Sequence, residues 1–370
     1  MALIETTAHG LYCEEGGFHI DPWAPVERAV ITHAHSDHAR AGMEAYLTSG
    51  EGEGVLRARV GAGAAIRGLE YGETVEIGGV RVSLHPAGHI LGSAQVRVER
   101  TVGGAGGAAG ETWVVSGDYK TEADATCRAF EVVRCHTFIT ESTFGLPIYR
   151  WPSQHDVVEE INAWWRGNQA AGRTSVVFAW PSGKAQRVLA AIDPSIGPIG
   201  AHGAVRRLNE VYVQGGIRLP ETRRATGEDV KGLQGVGLVV APPSTSATTW
   251  LRRLAGPEGV STAFVSGWMR VRGARRRRNV DRGFILSDHA DWPSLLETVS
   301  QTGAQRVGVT HGFAHPMSRW FRAQGLESFV IESRFEGESG ETPELAAALD
   351  KSLGEDAGPQ SEANASGGGA

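Results

Sequence analysis

The sequence predicts an α/β protein in which one layered domain is interrupted by a second. Three observations carry this. Residues 1 to about 145 read as short, half-alternating strands joined by turns. From Ser153 strands alternate with helices, the texture of a parallel sheet. From about Gly283 the strand, histidine-bearing turn and helix pattern returns. At 370 residues the chain exceeds what one hydrophobic core usually serves. The divisions are therefore 1–150, 151–282, 283–335 and a tail, 336–370.

Each element has its local signal. The segments GLYCEEGGFHIDP, VEIGGVRVSLHPAG, SAQVRVERTV and ETWVVSGDYK are predicted strands, packed on one side. The Gly/Ala segment at 103–110 reads as a hairpin loop. SQHDVVEEINAWWRGNQAAG has a serine N-cap and apolar Val157, Ile161 and Trp164, a helix. TSVVFAW is a buried strand, SGKAQRVLAAI a helix, and GVGLVVAPP and VSTAFVSGW are further strands. The tail is small, polar and acidic, and is expected to be disordered.

Bulk composition excludes several classes. Hydrophobic content of 41% and charged content of 21% are ordinary for a globular protein. No run of 18 apolar residues exists and the N-terminus lacks a basic start before an apolar core, which argues against a membrane protein or a secreted one. Cys13, Cys127 and Cys135 are too few and scattered for a disulfide framework, so a cytoplasmic location is expected. The net charge of −6 is set by the tail: from Glu336 there are eight acidic residues against Lys351, a balance of −7, which leaves the first 335 residues near +1. Only four of the 36 basic residues are lysines. A polyanion would have to be met by well-placed arginines.

The chemistry begins at ITHAHSDHARAGM, residues 31–43, where His33, His35, Asp37 and His38 crowd together. No packing argument asks for that, and a metal site does. Residues at i and i+2 can point to one metal while i+4 and i+5 reach a second. Imidazole and carboxylate ligands suit zinc and, with more oxygen donors, manganese or iron. Asp21, His89, Asp118 and His311 each follow an apolar strand and are further candidates.

Taken together these residues resemble the metallo-β-lactamase superfamily, an αββα sandwich with an HxHxDH loop, a later His, an Asp and a final His. The segments ITESTFG, SGKAQRVL, SDHADW and VTHG narrow the resemblance to the β-CASP nucleases, whose sandwich carries an inserted Rossmann-like α/β domain. The pattern over roughly residues 8–330 is most similar to the bacterial ligase-associated DNA exonucleases. The resemblance implies a two-metal site. His33, His35 and His89 would hold one ion, Asp37, His38 and His311 the other, with Asp118 between them and Asp21 orienting the loop. It further implies that Asp37 accepts a proton from water, and that His289, kept cationic by Glu141, protonates the leaving oxygen. A structural ion pair is the alternative for Glu141.

Other residues have two readings. PSGKAQ lacks the features of a P-loop. In this context Ser182, Gly183 and Lys184 are expected to contact a substrate phosphate at a helix N-terminus, or to serve as capping. His202 is expected at a terminal phosphate, and His315 as a cap of the helix after His311. The stretch 269–280 holds six arginines and no acid; Arg275 and Arg276 belong to a phosphate track or to a solvated face.

The resulting expectation is a metal-dependent phosphodiesterase, foremost a DNA exonuclease of DNA repair with 5′ to 3′ polarity. Single-stranded DNA is favoured over RNA, with an ATP-dependent DNA ligase and a helicase as partners implied by the resemblance. An RNA nuclease of the RNase J or cleavage-factor type is the alternative. A small-molecule hydrolase such as a lactonase also shares the HxHxDH loop, but has no need of Glu141, His289 or an insertion of about 130 residues. A binding protein with a dead site is opposed by the complete ligand set.

Overall fold

The computed structural model describes residues 2–100, 110–246 and 248–332, and of Arg275 the backbone alone. The acidic tail from Glu336 and, apart from Gly110, the 103–110 segment lie outside the described residues.

The chain first builds a six-stranded sheet from β1 (Glu5–Thr7), β2 (Gly10–Cys13), β3 (Phe18–Ile20), β4 (Arg28–Val30), β5 (Ala45–Ser49) and β6 (Ile66–Leu69), in that order. β1 to β3 are antiparallel and β3 to β6 parallel. Helix α1 (Glu53–Val60) joins β5 to β6 and buries Val55 and Leu56 with Ala29, Ile31 and Tyr46. Next come β7 (Thr74–Ile77), β8 (Val80–Pro86), β9 (Ala94–Arg100), β10 (Thr112–Val115) and β11 (Thr137–Glu141). They pair in sequence order, antiparallel as far as β10 and parallel from β10 to β11.

A second α/β layer set follows: α2 (Gln154–Ala170), β12 (Thr174–Phe178), α3 (Lys184–Ala191), β13 (Ile199–Ala201), α4 (Gly203–Gln214), β14 (Arg223–Arg224), β15 (Leu238–Ala241), α5 (Thr249–Arg253), β16 (Val260–Val265), α6 (Arg272–Arg277) and β17 (Arg282–Phe284). Its six strands run in the order β14-β13-β15-β12-β16-β17, every pair parallel. Crossover helices cover both faces, as parallel sheets require: α2, α3 and α4 on one face, and α6 with Trp268 and Met269 on the other. Ser153 caps α2 by accepting from the Asp156 N–H. The buried stripe of α2 continues in i+4 steps through Val157, Ile161 and Trp165, so Trp165 rather than Trp164 is the fully buried ring.

The chain then returns through α7 (Trp292–Thr302), β18 (Arg306–Thr310), α8 (Ala314–Ala323) and β19 (Glu327–Val330). β18 and β19 extend the second sheet beside β11, giving β19-β18-β11-β10-β9-β8-β7. The first two sheets share one core through Phe18, Val30, Val82, Val96 and Ile139, and α7 and α8 cover the far side of the second through Leu295, Val299 and Phe321. The layers are thus α1, sheet, sheet, α7 with α8: an αββα sandwich. His315 lies within α8 with its ring 3.4 Å from Glu332, so it does not cap the helix; Phe313 occupies the cap position.

Candidate metal centre

The functional side chains follow strand ends. Asp21 follows β3, the 31–38 loop follows β4, His89 comes three residues after β8, Asp118 three after β10, Glu141 ends β11, and His311 follows β18. Carboxyl ends of parallel strands are where open α/β sheets bind ligands. Asp21 (φ 45°) and His311 (φ 57°) hold left-handed backbone, a conformation that costs non-glycine residues about 1–3 kcal/mol and clusters at functional sites. Gly312 (φ 55°) follows; a Cβ there would sit 2.4 Å from the Ser142 carbonyl oxygen.

One donor atom from each of His33, His35, His89 and Asp118 lies within 4.8 Å of the other three, and all four residues are buried. The three imidazoles stand nearly perpendicular to one another, with centroids 4.8, 4.7 and 4.7 Å apart at 81°, 86° and 89°. Their outer nitrogens are spoken for. His35 Nε2 donates to the Ser182 carbonyl (3.2 Å) and His89 Nδ1 to the Asp288 carbonyl (2.8 Å). Their inner nitrogens, His35 Nδ1 and His89 Nε2, therefore face each other as lone pairs 3.0 Å apart. His33 Nε2 and Asp118 Oδ1 are buried without a hydrogen-bond partner. Facing lone pairs and orphaned donor atoms around one point fit a divalent cation.

Asp118 stands in the middle of the set. Its Oδ2 is 3.5 Å from His33 Nε2, 3.8 Å from His89 Nε2 and 3.5 Å from His38 Nε2. On the His38 side lie Asp37, 3.8 Å from the same Nε2, and the ring of His311, stacked on His38 at 5.0 Å. Asp21 anchors this side: it accepts from His38 Nδ1 (2.7 Å), from the Thr32 N–H (2.8 Å) and from the Thr32 hydroxyl (2.5 Å). A carboxylate on the outer nitrogen fixes the tautomer and aims Nε2 inward.

The electrostatics suit this donor set. Burial, with the neighbouring imidazoles, holds His33 and His89 well below the usual histidine range, hence neutral and able to donate a lone pair. Burial and the charge on His38 push His311 down to about 4. For His38 burial acts in the same direction but is outweighed by Asp118 and Asp37, which hold it well above its ordinary value. Burial opposes ionisation of Asp118, yet the His38 and His289 imidazoles hold its carboxyl well below the usual range. The carboxylates here demand positive charge.

Beside the cluster stands the pair Glu141 and His289. His289 Nδ1 is 2.9 and 3.1 Å from the two carboxylate oxygens, and Glu141 Oε1 also accepts the Tyr119 N–H at 2.7 Å. Burial would lower the His289 pKa, but Glu141 and Asp118 raise it to about 10. Its Nε2 is buried without a hydrogen-bond partner, and its ring is 4.7 Å from that of His89. His289, Asp118 and Glu141 also form a compact donor group, as do His289, His89 and Asp288. Because Glu141 is engaged with the His289 ring, the His33, His35, His89 and Asp118 set is the more open to an ion.

The expected phosphate contacts fare differently. Ser182 supports His35 through its carbonyl, and its buried Oγ has no partner. Gly183 already donates its N–H to Gln186 Oε1 (2.9 Å), and at φ 82° a Cβ would lie 2.2 Å from Ile90 Cγ2. It serves close approach of the two layer sets. Lys184 is turned inward instead of toward a phosphate: at 1% exposure its Nζ pairs with Asp288 Oδ1 at 3.0 Å, inside the junction. His202 is the N-cap of α4, with Nδ1 accepting from Ala204 (3.2 Å). Arg275 and Arg276 lie on α6, Arg276 exposed. Sequence reasoning missed Arg187, buried against the His89 turn, and a cleft of about 630 Å³ beside His35 and Asp37 to which Arg59, Trp180 and Arg207 contribute. A charged residue within the apolar spacing of SGKAQRVL was the available signal for Arg187.

No family model matches the chain. Among curated proteins it is 33% identical over 325 residues to a "Probable DNA ligase" of Opitutus terrae, covering 88% of this chain and 30% of that protein. It is 28% identical over 127 residues to the cleavage and polyadenylation specificity factor subunit 3-I of Arabidopsis thaliana, covering 34% of this chain and 17% of that one. Over 84 residues it is 34% identical to the endoribonuclease YSH1 of Gibberella zeae, covering 22% and 9%. The chain thus spans under a third of the length of each of these relatives. In fold it is similar to a protein of unknown function from Enterococcus faecalis, with TM-score 0.56 at 12% identity over 83% of this chain and 79% of that one. With the αββα layers, the inserted parallel sheet and the clustered HxHxDH loop, these relatives place the chain in the β-CASP branch of the metallo-β-lactamase superfamily.

Proposed function

We propose that this chain is a metal-dependent nuclease that hydrolyses phosphodiester bonds, and that its substrate is single-stranded DNA, degraded from an end, 5′ to 3′, in DNA repair. The observation that carries the nuclease reading is the Glu141–His289 pair beside the metal cluster, with Nε2 of a strongly basic imidazole left for a reacting group. A phosphodiester has a poor alkoxide leaving group and needs such an acid; a thioester, whose thiolate leaves readily, does not. The DNA reading is supported by the similarity to a protein named as a DNA ligase, and the family resemblance adds an ATP-dependent DNA ligase and a helicase as companions.

His33, His35 and His89 would hold one divalent ion and Asp37, His38 and His311 a second, with Asp118 serving both. Zinc, manganese and iron all suit these donors. Ions bound there supply water of lowered pKa and neutralise a phosphoryl oxygen. Asp37, half-buried at the cleft, takes the proton from the attacking water. His289 delivers its proton to the departing oxygen while Glu141 holds the ring. The test is digestion of 5′- and 3′-labelled DNA and RNA strands with Mn²⁺. Turnover of a lactone or thioester with neither polymer cut would sink the reading. A second reading, RNA as substrate, is favoured by the two relatives named for RNA processing, and the same gel decides it.

A further inference from the structure

Nine of the ten tryptophans are engaged through their side chains. Five donate the indole N–H to an oxygen, among them Trp151 to the His289 carbonyl, and four lie ring against ring. Trp180 is the exception. Half-buried, two residues beyond β12, its indole has no ring contact and no hydrogen bond among the described residues. It faces the cleft of about 630 Å³ that begins at His35 and Asp37 and is walled by α1 on one side and α4 on the other. Two exposed arginines, Arg59 from α1 and Arg207 from α4, line the same cleft, and neither has a carboxylate partner among the described residues. Arg207 also lines a second cavity of about 320 Å³ with Arg206, Arg224 and Glu210, where basic side chains outnumber the acid.

An unstacked indole flanked by guanidinium groups without carboxylate partners is what a flat aromatic base linked to phosphates requires. Ligand cavities of roughly 300–1,000 Å³ are ordinary, and this volume falls among them. We infer that the cleft is a stacking subsite for one unpaired nucleotide next to the bond to be cut, its base on Trp180 and its phosphates between Arg59 and Arg207. A base inside a duplex already has both faces covered, so the subsite selects single strands. The inference rests on the nuclease reading, because it places a nucleotide at the metal cluster.

The experiment uses the metal-loaded protein and a fluorescein-labelled single-stranded DNA with phosphorothioate linkages that resist cleavage, intact or carrying one abasic residue at successive positions. Stacking of a base on an aromatic ring is worth about 1–3 kcal/mol, roughly 5- to 150-fold. Trp180→Ala is expected to weaken Kd for the intact strand about tenfold or more, with Trp180→Phe recovering most of it. One abasic position should weaken wild-type binding similarly, and on that strand Trp180→Ala should cost less than twofold more. Metal content and melting temperature are followed in parallel, and the phenylalanine variant keeps the test valid if alanine misfolds. An unchanged Kd in both variants, equal losses on intact and abasic strands, or no binding by the wild type would overturn the subsite. Binding that follows the expected pattern, with no cleavage of an ordinary strand, would instead sink the nuclease reading and leave the subsite standing.

Discussion

The guanidinium of Arg187, fully buried on α3, donates to the backbone carbonyl of His89 at 3.1 Å. It also reaches the Gly88 and Ser287 carbonyls at 3.4 and 3.3 Å, and its Nε lies 3.4 Å from Asp124. One side chain of the inserted layers thus ties together the turn that bears a candidate metal-site histidine and the loop that leads to His289. Arg187→Leu strands several carbonyls and a carboxylate in the interior, and is expected to cost about 3–5 kcal/mol of stability. Arg187→Lys keeps the charge but loses the planar fork, and should recover only part. Denaturant melts check this; a midpoint for the leucine variant equal to wild type would make these bonds incidental.

Asp21 meets the candidate metal set through His38, and holds the loop that bears it through Thr32. Asp21→Asn should leave the fold intact while weakening divalent binding about 10- to 100-fold, the usual cost of disturbing a ligand's outer partner. Calorimetric titration of chelator-stripped protein with Zn²⁺ or Mn²⁺ measures it. Wild-type affinity and stoichiometry in the variant would remove Asp21 from this role.

His311→Ala and His289→Ala should both abolish cleavage of ordinary DNA, for different reasons. The first should lose or loosen one metal position, while the second should keep its full metal content. A general acid typically contributes about 10²–10⁴-fold, and only when the leaving group is poor. A bridging 3′-phosphorothiolate, whose sulfur leaves without help, is therefore expected to restore His289→Ala substantially. It should restore neither Asp37→Ala nor His311→Ala. Glu141→Gln should resemble His289→Ala in weaker form. Metal loss from His289→Ala, or equal failure of all variants on the sulfur substrate, would show that His289 is not the acid.

The arginine stretch is more structured than a loose basic segment. Arg278 lies over the Phe264 ring at 4.5 Å, while the exposed Arg276 is on α6. Changing Arg275 and Arg276 to alanine should flatten the salt dependence of single-strand binding, by roughly 0.7 in log–log slope for each phosphate no longer neutralised. An unaltered slope would assign them to the solvated face.

The clustering of the candidate metal residues is legible in the sequence because their spacing has no packing explanation: His33, His35, Asp37 and His38 cannot share an apolar face, and the later candidates each follow an apolar run. The strand-helix alternation from Ser153 is legible for a related reason, periodicity. Strands of three residues such as β4 and β13 are not, since so short a run carries no period. Lys184 misleads because a Gly-Lys pair opening a helix looks alike whether its partner is a phosphate or, as here, Asp288 from a distant loop. Trp180 reads in sequence as the end of a buried strand. Its idle ring appears only when every other tryptophan has found a neighbour.

β10, β11 and β18 are immediate neighbours and run parallel, and Asp118, Glu141 and His311 lie at or just beyond their carboxyl ends. Adjacent strands in any sheet are held about 4.8 Å apart by their hydrogen bonds. The pitch of the sheet therefore acts as a ruler, graduating the distances among the central carboxylate, the partner of His289 and the last imidazole. Changes in the surrounding loops can turn these side chains but cannot alter the graduations.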